Sequence, residues 1–152
     1  MNYIEAPSPL PSMMDKPSLF VAGGISGTQN WQDPFIDKIK DLDMFIVNPR
    51  RKDFALGEPN IGTQQIKWEY NALLKVDAVS FWFPHETLCP ITLFELGTLM
   101  KSDTKIFVGY HPKYERAFDI EIQVSLYRPD VQIVSSIDGL AEQVRIWKDQ
   151  ND

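Results

Sequence analysis

The sequence has little of what several classes of protein require. Its 152 residues include one cysteine and two histidines, too few for an internal disulfide and a poor supply of zinc ligands. No segment approaches the roughly 20 consecutive apolar residues of a membrane span. Residues 1–16 also lack the basic and apolar segments of a signal peptide. These absences argue against a secreted disulfide scaffold and a membrane protein, and we expect a cytoplasmic protein with no bound metal.

Positive charge is scarce as well. Lysine and arginine total 15 against 21 acidic residues, which gives a net charge of −6 and a sequence pI of about 4.9. Binding of a nucleic-acid polymer usually requires a basic face. The one basic cluster is Arg50, Arg51 and Lys52, and it has no interleaved aromatic residues. The composition therefore argues against a nucleic-acid polymer as the ligand, but it is compatible with a small nucleoside.

The chain divides into two parts by composition. Residues 1–17 carry Pro7, Pro9, Pro11 and Pro17, and we interpret them as a Pro-rich leader that is poorly ordered or docks elsewhere. Residues 18–152 have the length and the apolar content of one domain with its own core.

Within residues 18–152, short apolar runs alternate with segments of helical periodicity. Strands are predicted at 19–22, 44–47, 78–83, 105–109 and 131–134. Helices are predicted at 31–42, 64–75, 91–100, 114–127 and 136–147, and a long loop at 50–63. Apolar runs bounded by glycine or proline are typical of buried parallel strands. The alternation predicts an α/β fold with an open, mainly parallel sheet of five strands, covered by helices on both faces.

Ligands of such sheets bind beyond the carboxyl ends of the strands, near the point where strand order reverses. That rule selects residues 23–27, 48–52, 83–90 and 109–114. Gly23, Gly24 and Ser26 belong to a loop that either approaches a ligand closely or simply turns out of the strand.

Four further side chains near these segments have both a binding and a structural interpretation. Asn48, Arg50 and Arg51 follow the second strand, where an arginine either holds a phosphate or carboxylate or lies on a solvated loop. Gln64 either reads the edge of a base or caps the helix that it begins.

The stretch at residues 86–97 (ETLCPITLFELG) is the most specific. It places Glu95 in a helix with apolar neighbours, where a buried carboxylate without a partner is costly and needs a reason. The helix N-terminus favours an ionised Glu95, and an ionised carboxylate is the species that attacks an anomeric carbon. A Cys89–His85 nucleophilic pair and a metal site are weaker interpretations, since each lacks further partners. Asp77, just before a strand, looks by spacing like a turn residue.

This stretch, together with the preceding Phe-Trp-Phe strand at 81–83, resembles the signature of the nucleoside 2-deoxyribosyltransferase-like family. Further segments agree in order over roughly residues 19–127: 22–27, 31–32, 48–51, 65–69, 114–116 and 119–123. The resemblance implies a flavodoxin-like three-layer sandwich and a homo-oligomer. It also implies that no cofactor is needed.

For the chemistry, the resemblance implies that Glu95 is the nucleophile and forms a covalent deoxyribosyl-enzyme. It implies that Asp77 helps to handle the leaving base. The substrates would be a 2'-deoxynucleoside or its 5'-monophosphate and a free nucleobase, with water as the alternative acceptor. Phe83, Glu86 and Thr87 would then contact the substrate. Two other functions stay open, namely an NAD- or nucleotide-glycohydrolase on the same scaffold and a non-catalytic nucleotide-binding sensor.

Overall fold

The computed structural model describes residues 1–52 and 61–151. Within these ranges the chain forms six strands and five helices. The strands are β1 (Asn2–Glu5), β2 (Ser18–Gly23), β3 (Phe45–Asn48), β4 (Ala78–Phe83), β5 (Lys105–Tyr110) and β6 (Ile133–Val134). The helices are α1 (Gln32–Asp37), α2 (Ile61–Leu73), α3 (Pro90–Leu99), α4 (Ala117–Tyr127) and α5 (Ile137–Asp149).

The sheet has the strand order β1-β3-β2-β4-β5-β6, and its pairings are parallel. From β3 to β6 this is the flavodoxin-like order, with the reversal of chain direction across the sheet lying between β2 and β4. The predicted α/β fold class is confirmed. The strand count differs, because the described residues form six strands rather than five.

The additional strand comes from the segment interpreted as a leader. β1 pairs in parallel with β3, with Asn2 opposite Phe45 and Glu5 opposite Asn48, and Ala6 behind it is buried. β1 forms the edge of the sheet and its residues are exposed or half-buried. It therefore has no continuous apolar run, which is the signal by which the central strands were predicted.

Two apolar layers enclose the sheet. In β2, Phe20 and Ala22 face the core beneath α2, α3 and α4, whereas Leu19 and Val21 face the core beneath α1 and α5. All residues of β2 and β4 are buried, as expected for central strands of a parallel sheet covered on both faces. Burying a side chain such as Phe20 contributes about 1.5–3 kcal/mol to folding. The core thus fixes the positions of the strand ends that carry the site.

Helix boundaries differ from the predictions by three residues or more at three places. α1 is shorter than the predicted 31–42, and α4 begins at Ala117 instead of 114, since Tyr114 is buried against the ring of Phe83 at a centroid distance of 5.2 Å. α2 begins at Ile61, so the predicted loop at 50–63 is shorter at its carboxyl end, and its residues 53–60 lie outside the described part of the chain.

Candidate active site

The carboxyl ends of β2 and β4 lie side by side, with Gly23 paired to Trp82 in the ladder. The loop after β2 (residues 24–31, the glycine loop) and the loop after β4 (residues 84–89, the β4–α3 loop) therefore meet at the reversal point of the sheet. Sequence reasoning placed the ligand at this edge, and the structure brings these two loops together there.

The glycine loop is tightly held from within. The Gly24 carbonyl accepts hydrogen bonds from Trp31 Nε1 at 2.9 Å, Gln32 Nε2 at 3.2 Å and Thr28 Oγ1 at 3.0 Å. A Cβ at Gly23 would lie 2.2 Å from the Trp31 ring, so the close approach needs glycine. Ser26, predicted to bind substrate, is exposed on the outer turn of this loop.

Arg50 stabilises the glycine loop from the end of β3. Its guanidinium donates to the carbonyls of Gln29 (3.2 Å) and Thr28 (3.1 Å) and to Gln32 Oε1 (3.0 Å). A guanidinium engaged in this way is a loop anchor, which differs from the expected phosphate ligand. Asn48 is also structural in this state, since its amide donates to Tyr3 Oη at 3.0 Å and accepts from the Arg50 N–H at 3.0 Å.

The β4–α3 loop contacts the glycine loop directly. Glu86 Oε1 accepts from the Gln29 N–H at 3.1 Å, and a Cβ at Gly27 would lie 3.2 Å from Thr87 Cγ2. Burial raises the pKa of the Cys89 thiol, which lies 3.3 Å from Thr87 Oγ1. A thiol with a raised pKa is a poor nucleophile, so the structure disfavours the Cys89–His85 interpretation.

Glu95 lies on the inner side of α3. The helix begins after Cys89, which has a left-handed φ of 51°, and Pro90 is its first residue. Thr92, Glu95 and Leu96 form the buried side, and Glu95 is only 9% exposed. Burial, together with repulsion from the nearby charge of Glu69, raises the pKa of Glu95 to about 8. Burial thus favours the protonated form of Glu95, whereas the position near the helix N-terminus was expected to favour the ionised form.

Glu69 is the second carboxylate of the site, and sequence reasoning assigned it no role. It lies on α2, where burial raises its pKa and a hydrogen bond from Gln65 Nε2 at 2.8 Å opposes that rise. The same Gln65 amide donates to the Pro49 carbonyl at 2.9 Å and so ties α2 to the end of β3. The available signal was the spacing of Gln65 and Glu69, which places both on one side of a helix.

Glu95 is buried and Glu69 is half-buried, and burial raises the pKa of both groups, so each holds its proton to a higher pH than an ordinary glutamate. The charge of Glu69 further disfavours ionisation of Glu95. Such a pair supplies an anion and an acid in one place, the combination that glycoside cleavage uses.

Asp77 is not brought to this pair. Its carboxylate accepts from the Ser18 N–H at 2.9 Å and from Ser18 Oγ at 2.7 Å, at the amino ends of β2 and β4. A six-residue strand separates it from the cleft edge, a distance of roughly 17–20 Å. The geometric expectation that Asp77 is a turn residue agrees with this position, and the role implied by the resemblance does not.

Three other residues predicted to bind substrate occupy different environments. Phe83 is fully buried in the core beneath α3 and α4, so its ring is not a free platform for a base. Gln64 is exposed on α2, one residue before the Gln65 that carries the contacts. Arg51 is half-buried at the end of β3, beside Arg50.

A cavity of about 410 Å³ lies between α3 and α4, and Glu95 is not among its lining residues. Among the described residues, no cluster of histidine, cysteine, aspartate and glutamate is arranged to hold a metal ion. In the same part of the chain, no helix has both the length and the apolar content to cross a membrane.

The fold and the site define a class: a flavodoxin-like α/β protein with a buried glutamate, Glu95, on the helix that follows the central strand β4. The family model described as "Nucleoside 2-deoxyribosyltransferase like" matches residues 16–114, well over half of the chain. The chain belongs to the nucleoside 2-deoxyribosyltransferase-like family, which confirms the resemblance found in the sequence. This membership supports a glycosyl-transfer enzyme that acts on small nucleosides. No curated protein sequence matches the chain.

Proposed function

We propose that the protein cleaves the N-glycosidic bond of a 2'-deoxynucleoside or its 5'-monophosphate and transfers the sugar to a second base or to water. The observation that carries the proposal is the placement of Glu95, only 9% exposed on the inner side of α3, together with the nearby charge of the half-buried Glu69. Burying two carboxylates together lowers stability, and strongly shifted groups of this kind concentrate at functional sites.

The reactive form of the pair is the one in which the proton has moved from Glu95 to Glu69, which leaves Glu95 ionised and Glu69 protonated. The Glu95 carboxylate attacks C1' of the sugar while the bond from C1' to the base nitrogen breaks. The electron pair of that bond stays on the base, which takes the proton from Glu69 as it leaves. A glutamyl–deoxyribose ester remains; an acceptor base or water then attacks C1', gives its proton to the Glu69 carboxylate, and releases Glu95 as a carboxylate. We propose Glu69 as the acid, in place of Asp77, because Glu69 is the group that acts electrostatically on Glu95.

The test is a panel of deoxynucleosides and their 5'-monophosphates, incubated with and without a free acceptor base. Glu95→Gln and Glu69→Gln should each lower base release by at least about 100-fold. Glu142→Gln, on α5 across the sheet, is the matched control and should keep full activity. Without an acceptor, intact-protein mass spectrometry should detect a deoxyribosyl adduct on the wild type and none on Glu95→Gln.

Three results would replace this proposal. Full turnover by Glu95→Gln would remove the nucleophile assignment. Cleavage of NAD without cleavage of deoxynucleosides would favour the glycohydrolase. Nucleoside binding without any release of base would favour the non-catalytic sensor.

We also propose that the protein is a homo-oligomer, on the evidence of its surface. The helices over one face of the sheet share large apolar side chains that are exposed to solvent. They are Ile66 and Tyr70 on α2, Leu74 directly after it, Ile91 and Phe94 on α3, and Phe118, Ile122, Leu126 and Tyr127 on α4. At on the order of 100 Å² each, they approach the roughly 800 Å² per partner of a standard interface. A second copy has the same apolar face to offer, so a two-fold pairing would cover both.

Sedimentation equilibrium tests this pairing. Leu126→Glu should shift the wild-type oligomer toward the 17.5 kDa monomer, because it places a charge in an apolar interface. Met13→Glu is the control, since Met13 is 76% exposed but lies on the N-terminal segment. A wild type that sediments as a monomer at all concentrations would contradict the proposal.

A further inference from the structure

Residues 1–15 lie outside the region matched by the family model, yet they contact the carboxyl end of β3 and helix α2, the helix that carries Glu69. We call residues 1–16 the N-terminal arm. Its first contact region is the carboxyl end of β3. Tyr3 Oη accepts from the buried amide of Asn48 at 3.0 Å, and the Ala6 N–H donates to the Asn48 carbonyl at 3.0 Å. Glu5 Oε1 accepts from the Lys52 N–H at 3.0 Å.

The second contact region is α2. The Ser8 carbonyl accepts from Trp68 Nε1 at 2.7 Å, and the Pro11 carbonyl accepts from Lys75 Nζ at 3.2 Å. Leu10 and Met14 pack against the core cluster that contains Trp68. The arm therefore crosses the helix after leaving the edge of the sheet, and contacts it near the middle and at its carboxyl end.

These contacts connect to the carboxylate pair through short paths. Trp68 directly precedes Glu69, and its ring packs against Phe20 of β2 at a centroid distance of 6.4 Å. Asn48 holds the Arg50 N–H, and Arg50 in turn anchors the glycine loop. The arm is thus bonded to Trp68, the residue beside the proposed acid, and to Asn48, which accepts a hydrogen bond from the N–H of Arg50.

We propose that the N-terminal arm is a strap that positions α2 against α3, with Trp68 and Tyr3 as positioning residues for the carboxylate pair. The inference rests on the proposed function in assigning the chemistry to Glu69 and Glu95. The physical reason is that the position of α2 sets how close Glu69 lies to Glu95, and reactions of this kind are sensitive to shifts below 1 Å.

The primary test is Trp68→Phe, which removes the indole donor to Ser8 and keeps an aromatic ring beside Phe20. We expect kcat to fall roughly tenfold with KM nearly unchanged. Trp147→Phe is the matched control, because Trp147 lies on α5 and packs against Phe107 on the opposite face of the sheet. It should lower thermal stability to a similar degree and leave kcat unchanged.

A second readout does not depend on turnover. The side-chain carboxyl of Glu95 is titrated by 13C NMR in the wild type and in both variants. Trp68→Phe should move the Glu95 midpoint down toward that of an ordinary glutamate, and Trp147→Phe should not. If the wild type released no base, this titration would still decide whether the arm positions the pair.

Matching kcat values and matching Glu95 midpoints in the two tryptophan variants would overturn the proposal. Should Trp68→Phe not fold, Tyr3→Phe removes only the hydroxyl that Asn48 contacts and serves for the same two measurements. A Tyr3→Phe protein with wild-type kcat and a wild-type Glu95 midpoint would then refute the strap.

Discussion

Asp77 and Ser18 join the amino ends of the two central strands through reciprocal hydrogen bonds: Ser18 N and Oγ both donate to Asp77 Oδ2, and the Asp77 N–H donates to Ser18 Oγ at 3.0 Å.

Asp77→Asn replaces an acceptor-only group and should lower the free energy of unfolding by about 1–2 kcal/mol, measured by urea titration. Base release should stay within a few-fold of wild type. Asp103→Asn, at an exposed position, is the control. A large loss of kcat in Asp77→Asn with an unchanged free energy of unfolding would support a catalytic role for Asp77.

The pKa of Glu95 also predicts how stability depends on pH. Folding raises this pKa from 4.5 to about 8, so between these values the folded protein binds more protons than the unfolded chain. The free energy of unfolding should therefore decrease as pH rises from about 4.5 to about 8, by on the order of a few kcal/mol. Glu95→Gln should flatten that slope and be more stable than wild type at pH 8. Parallel pH profiles of the two proteins would show that Glu95 is not the titrating group.

Arg50 should be needed for the glycine loop rather than for charge alone. Arg50→Lys keeps the positive charge but cannot reproduce the planar fork that reaches Thr28, Gln29 and Gln32. We expect a loss of about 1–3 kcal/mol in thermal unfolding. Arg116→Lys, at an exposed helix start, should have no measurable effect. Equal melting temperatures for both variants would exclude the anchoring role.

Two glycines should respond to alanine with opposite signs. Gly27 has a φ of +72°, and its Cβ would lie 3.2 Å from Thr87 Cγ2, so Gly27→Ala should cost about 1–2 kcal/mol. Gly62 lies in the first turn of α2, where a Cβ would have no heavy atom of a described residue within 4 Å. Gly62→Ala should stabilise the protein by up to about 1 kcal/mol. Differential scanning calorimetry compares the stability of the two variants with that of the wild type. A more stable Gly27→Ala variant would show that alanine at this position is not strained.

The central sheet could be predicted because its strands are continuously apolar. β2 and β4 are buried on both faces, and such strands stand out in a sequence. β1 could not be predicted in this way, since an edge strand of four half-exposed residues leaves no apolar run. Its partner, β3, begins 43 residues after Asn2, and a pairing at that separation leaves no local periodicity.

The position of the candidate site could also be predicted in part. The order of segments located the carboxyl edge, and the apolar neighbours of Glu95 indicated burial. The approach of Glu69 to Glu95 depends on how α2 and α3 pack, which no spacing within either helix encodes. For Asp77, strand geometry alone placed the residue far from the cleft. The catalytic role implied by the family resemblance does not agree with that distance.

The burial of Cys89 has a practical consequence. A Cβ on Gly24 would lie 2.8 Å from Cys89 Sγ, so this thiol, the single one in the chain, is covered by the backbone of the facing loop. A thiol-specific dye can reach it only when the two loops separate. The rate at which the dye labels Cys89 thus reports how often the two loops separate. It can be measured on the wild-type protein without knowledge of the substrate.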